Sequence, residues 1–194
     1  MRSLLFILAI TICSCTNSTN NFNDKIIDDF DSAAESKMIV EYKNSVENYR
    51  KKIANLVSQT TDSTDRYKIN LFNETFLNCL NFTDSLKGEM DKLDQHNFKN
   101  TETINNIYLK QGIADSLFYK ISATFKLAES IAKNEQDKKL INESRIRILN
   151  EPNTTQIKKQ LFGFNNSMGV SMILYGFEVE LFQMADILLN SINI

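Results

Sequence analysis

Apolar residues recur along most of this chain at alternating steps of three and four. Ile39, Tyr42, Val46, Tyr49, Ile53 and Leu56 keep that rhythm, which lines one face of a helix. The stretch SQTTDST, residues 58–64, breaks it and offers Asp62 or Ser63 as an N-cap. A second stripe follows in Ile69, Phe72, Phe76, Cys79, Thr83, Leu86, Met90 and Leu93, with Thr83 its one polar member. A loop is predicted over 94–103 and a third helix over 104–133, with Gly112 as a point of division. Its stripe is Phe118, Ile121, Phe125, Ala128 and Ala132. A short helix from Asp137 to Leu149 carries Leu140, Ile141, Ile146 and Ile148 and ends before Pro152, which cannot continue it. One further turn is predicted around 157–162. The last helix, capped by Asn166 or Ser167, runs to about Ile192. Val170, Ile173, Phe177, Leu181, Met184 and Leu188 form its main stripe, and Met172, Leu174, Tyr175, Val179 and Ile187 widen it. A helix apolar on most sides belongs at the centre. The pattern predicts an all-α fold, an antiparallel bundle of four principal helices plus one or two short ones.

The amino end follows another rule. After Met1-Arg2-Ser3, the run Leu4–Ile12 is apolar apart from Thr11. As a helix it reaches about 14 Å, roughly half of a bilayer's hydrocarbon core. That suits the apolar segment of a signal peptide and is too short to span. Ile12-Cys13-Ser14-Cys15 resembles the lipobox of bacterial lipoproteins, in which the chain is cut before a cysteine whose thiol carries a diacylglycerol. Small Ser14 fits the position before the cut, so the resemblance assigns lipidation to Cys15 and lets Cys13 leave with the leader. Several acyl chains on one residue give lasting membrane attachment. The expected organisation is a signal peptide over 1–14, a lipidated polar tether over 15–32 and a helical bundle domain over 33–194.

Composition narrows the class. Five Gly and one Pro are too few for the closely spaced turns of a sheet protein. The 22 basic and 24 acidic residues give a net charge of −2, made slightly more negative by loss of Arg2, and this argues against nucleic acid as a partner. After processing, Cys79 is the one thiol left, so no internal disulfide is expected, and its place on the second stripe makes it a small core residue.

Two patches carry a family resemblance. FGFNNSMGVSMILYGFEVELFQMADILLNSI, residues 162–192, resembles the closing helix of the N-terminal helical domain of gliding-motility M proteins, the periplasmic shaft of the type IX secretion motor. FLNCLNFTDSLKGEMDKL, residues 76–93, is similar to another helix of that domain. The M proteins enter the membrane through a transmembrane helix and continue into β-rich domains. With a lipobox in place of that helix and an end at Ile194, the resemblance implies a stand-alone, lipid-anchored relative that transmits no torque, and it assigns no catalytic residue. Bacteria with M proteins O-glycosylate envelope proteins at Asp-Ser/Thr followed by an apolar residue or Thr. Asp31-Ser32-Ala33, Asp62-Ser63-Thr64, Asp84-Ser85-Leu86 and Asp115-Ser116-Leu117 resemble that pattern, with Ser32 and Ser63 the accessible candidates.

No constellation for chemistry emerges. His96 is the single histidine, in a polar loop, so neither a histidine-based nucleophile nor a multi-histidine metal site is expected. Asp28, Asp29, Asp31 and Glu35 read as solubilising charge rather than a calcium site. Glu178 and Glu180 lie two apart on a helix and cannot share one face. Glu178 is turned about 100° from Phe177 and is treated as a surface position. We expect no enzyme, no catalytic residue, no metal and no cofactor. We expect a structural or docking lipoprotein of the bacterial cell envelope, held at a membrane by its lipid, facing the periplasm and binding another envelope protein, with a link to gliding motility and type IX secretion through the M proteins. The alternative is a ligand-binding or sensory bundle with a pocket between helices. Convergence of Thr83 and Thr124 on one cavity would favour the alternative.

Overall fold

A computed structural model describes residues 24–94, 111–162 and 167–192. Cys15, the leader, the first part of the tether and His96 lie outside the described residues. The described residues form six helices: α1 Asp24–Gln59, α2 Ser63–Asp94, α3 Ile113–Ile131, α4 Glu135–Leu149, α5 Thr154–Phe162 and α6 Ser167–Ile192. Every regular element among the described residues is helical, as the all-α pattern requires. By internal packing the chain divides into Met1–Asn44 and Ser45–Ile194.

The first unit is described over 24–44, where the backbone is helical. This helix begins inside the segment expected as a polar tether over 15–32. The segment DKIIDDFDSAAESK holds no Gly or Pro and several good helix formers, so nothing stops a helix from starting at Asp24. The side chains of Asp28, Asp29, Asp31, Ser32, Glu35 and Ile39 lie outside the described residues. The compact second unit begins at Ser45.

In the second unit the stripes fold as their spacing dictates. Tyr49, Ile53 and Leu56 of α1 are buried, as are Ile69, Phe72, Phe76, Cys79, Thr83, Leu86 and Met90 of α2. Asp62 closes the turn between these helices, its Oδ1 accepting the Asp65 N–H at 2.8 Å, and the Arg66 guanidinium holds the Thr60 carbonyl at 2.6 Å. α3 starts at Ile113, directly after Gly112, the expected point of division, which takes the left-handed conformation with φ 72°; positions 104–110 of the expected helix lie outside the described residues. A Cβ at Gly112 would meet nothing within 4 Å. Backbone conformation, not space, is what favours glycine at this position. Asn134 caps α4, its Oδ1 accepting the Asp137 N–H at 2.7 Å. Asn150 ends that helix with φ 49°, a left-handed cap that asparagine tolerates.

Long-range contacts set the directions. Tyr49 Oη donates to Asn73 Oδ1 at 3.0 Å, and the Tyr49 ring lies 4.3 Å from that of Phe76, which makes α1 and α2 an antiparallel hairpin. Lys120 over the Phe82 ring at 5.3 Å sets α3 beside α2. On α6, Phe182 lies 5.5 Å from Phe76, while Glu178 meets Thr83 and Lys87, so α6 runs antiparallel to α2. Phe177 stands edge-on to Phe118 at 5.7 Å, and Ser191 accepts the Lys133 N–H at 3.1 Å. These two contacts make α3 and α6 run the same way, because α4 and α5 separate them in sequence. Arg147 reaches Glu180 from α4 at 2.7 Å, and α5 is held on α3 by Lys158, which pairs with Asp115 and covers the Phe118 ring at 5.3 Å. Lys52 joins Asp186 from α1 at 2.7 Å. These contacts bring α1, α2, α3 and α4 onto α6, and α5 packs against it as well. α6 is the central element that its broad apolar face predicts.

Candidate functional site

The chemistry of the bundle gathers where α6 crosses the second half of α2. Thr83 belongs to the buried stripe of α2, and Lys87 stands one turn on, at the edge of the same face. α6 presents the row Leu174, Glu178, Leu181 and Ala185, all buried. Glu178 is therefore not a surface residue, and this corrects its sequence-based placement. The solvent side of α6 carries Met172, Gln183, Asp186 and Asn190, and Glu178 lies off that stripe, turned toward α2.

Every carboxylate oxygen of Glu178 has a partner. Oε1 lies 2.8 Å from Thr83 Oγ1, and Oε2 accepts from Lys87 Nζ at 2.6 Å. Lys87 also reaches Asp84 Oδ1 at 2.9 Å. The Glu178 side chain is 1% exposed and that of Lys87 19%, so the ammonium links a dry carboxyl to the surface. Burial raises the pKa of Glu178 above the ordinary carboxylate value. Lys87 and the Thr83 hydroxyl pull it back, and Asp84 adds to the rise.

One turn away on α2 the polar layer continues. Cys79 is buried and hydrogen-bonded to Thr124 of α3, and burial pushes its thiol up to about 12 while Lys120 acts in the opposite direction. A thiol so placed is neutral and shielded, a packing group rather than a nucleophile. Thr124 Oγ1 returns its proton to the Lys120 carbonyl at 2.8 Å.

The polar interruptions of the two stripes thus each bond to groups within the bundle. A hollow of about 550 Å³ lies elsewhere, at the start of α5, lined by Pro152, Asn153, Thr155, Gln156 and Lys159. Among the described residues no group of three His, Cys, Asp or Glu side chains is set to hold a metal, and no helix is long and apolar enough to cross a membrane.

No family model, no curated protein and no solved structure matches this chain. The sites expected from sequence stand as follows. Cys15 is outside the described residues, and so is the side chain of Ser32. Ser63 is exposed as the first residue of α2, directly after the capping Asp62. Ser85 and Ser116 are exposed on helix bodies. The Glu178 cluster was not expected from sequence. Its signal was Thr83, the polar member of an otherwise apolar stripe, with Lys87 four residues on, set against an acidic residue inside the most apolar helix.

Proposed function

We propose that this chain is a lipid-anchored helical-bundle lipoprotein of the bacterial envelope, held by Cys15, facing the periplasm and docking another envelope protein. The leader and Ile12-Cys13-Ser14-Cys15 support the anchor. The observation that carries the docking role over a ligand pocket is the pairing of the two buried threonines. Thr83 and Thr124 bond to Glu178 and to the Lys120 carbonyl, so the residues best placed to line a pocket between helices are engaged with the bundle itself. A bundle with its core closed in this way acts through its outer faces. The two patches that resemble M-protein helices, 76–93 and 162–192, are α2 and α6 at this junction, and on that resemblance we place the partner in gliding-motility or type IX secretion machinery.

Cys15→Ala tests the anchor: the protein should leave the membrane fraction and its leader should remain uncut by the lipoprotein peptidase. A variant that is still processed and still sediments with membranes sinks the assignment. In-cell cross-linking of the lipidated chain from its exposed helix faces should capture one envelope protein reproducibly, whereas saturable binding of a small molecule in the core would favour the sensory alternative.

A further inference from the structure

The short helix α5 is tied to the bundle in two ways. At its start the corner from α4 is closed by hydrogen bonds. The Asn150 N–H returns to the Arg147 carbonyl at 3.3 Å, and the Glu151 N–H to that of Ile146 at 3.1 Å. Arg145 Nη1 reaches both carboxylate oxygens of Glu151 at 2.8 Å, and its Nη2 donates to Asn142 Oδ1 at 2.6 Å. These bonds fix the corner to α4. Asn153 then opens α5, its carbonyl accepting the Gln156 N–H at 2.9 Å.

Along its body α5 is seated through Lys158. The ammonium pairs with Asp115 and stands over the Phe118 ring at 5.3 Å, both on α3. Ile157 beside it is half-buried against the core. Thr155, Gln156 and Lys159 are exposed and border the hollow at the corner. Among the described side chains of α5 none is fully buried, whereas α4 buries Ile141, Ile148 and Leu149. A helix of nine residues falls below the roughly 12–15 at which a helix holds by itself in water. Its helical state therefore depends on these seats.

We propose that α5 is a strap pinned on α3 by Lys158, which opens about the Asn150–Asn153 corner while the other helices stay packed, and in opening uncovers the Phe118 ring. The pin is suited to release. Asp115 is 72% exposed, so water and salt reach the ion pair, and it weakens as ionic strength rises. Beneath the pin, Phe118 is buried edge-on to Phe177 of α6. That contact, and the bond from the Lys133 N–H to Ser191, join α3 to α6 without passing through α5. The seam of α3 and α6 therefore survives the opening and offers an aromatic ring at its surface. The strap rests on neither the lipid anchor nor the docking partner proposed above.

Native-state hydrogen exchange on the full chain, followed residue by residue in urea, tests it. The amides of Lys158–Phe162 should exchange at least about a hundredfold faster than those of Ile121 and Leu181. Their dependence on urea should be shallower, since the slope follows the surface that opening exposes. Amides of α5 that share the protection and slope of α3 and α6 open only with the whole bundle. That result overturns the strap, and it needs no variant. Lys158→Ala keeps a good helix former in place but removes the pin. It should speed exchange in α5 alone, on the order of tenfold, and sodium chloride should speed α5 more in the unmodified chain than in the variant. No change in α5, or an equal change in α3, α5 and α6, overturns the assignment of Lys158 as the pin.

Discussion

At Phe76 and at Thr83, two turns apart on α2, the same two helices meet by different physics. Around Phe76 the contact is aromatic. Its ring lies 4.3 Å from Tyr49, 5.7 Å from Phe72 and 5.5 Å from Phe182. Such a layer needs volume and shape, and burying each large side chain contributes roughly 1.5–3 kcal/mol. Around Thr83 the contact is a chain of hydrogen bonds from Leu80 through Thr83 and Glu178 to Lys87. Here the gain over hydrated groups is small, but each member depends on the others, because removing one leaves a buried charge or dipole uncompensated. The aromatic layer supplies stability, and the polar layer fixes the height at which α6 docks. Sliding α6 by one turn would still leave apolar surface for its Leu and Phe residues, but it would strand Glu178.

The sharpest way to break this contrast is at its aromatic end. Phe76→Ala should cost about 3–5 kcal/mol, with little dependence on pH, as read from urea unfolding. A loss under about 1 kcal/mol would mean that the layer collapses to fill the space and that rigid ring packing is not what holds it. Next comes Lys87→Met, which strips the cation from Glu178. We expect a loss of about 3 kcal/mol near pH 8, at the low end for a broken buried pair because the ammonium is partly solvated. The loss should shrink as the pH is lowered, since burial raises the proton affinity of Glu178 and a protonated carboxyl needs no cation. A loss independent of pH would show that Lys87 does not hold a charge there. Smallest is Lys52→Ala. Its pair with Asp186 is 48% and 58% exposed on the two sides, so stability should change by less than about 0.5 kcal/mol. A larger effect would place α1 more tightly on α6 than the aromatic contacts imply.

The helices were legible because their signal is periodic. Ile69, Phe72, Phe76 and Cys79 point inward for the same reason that their spacing is three and four. Centrality of α6 was legible too, from the width of its apolar face. What that width implied for Glu178 was harder to see. An angle measured on one helix says which way a residue points but not what stands there, and the partner that receives Glu178 lies 95 residues away in sequence at Thr83. Pairing of polar interruptions across helices is a tertiary fact. The extent of α1 escaped for a different reason. Residues 24–32 are polar, and a polar segment without breakers can be helical without announcing a buried face.

The placement of α6 also sets an order of assembly. α1 with α2, and α3 with α4, are hairpins between sequence neighbours, which close quickly because little chain entropy is lost. α6 must then return across about a hundred residues to meet α2, and until it does, Phe76 and Thr83 lack the side chains that cover them from α6. For a chain that emerges amino end first, the centre of the molecule is made after its walls. The half-built bundle is the form most exposed to aggregation and the one that a holding chaperone would recognise.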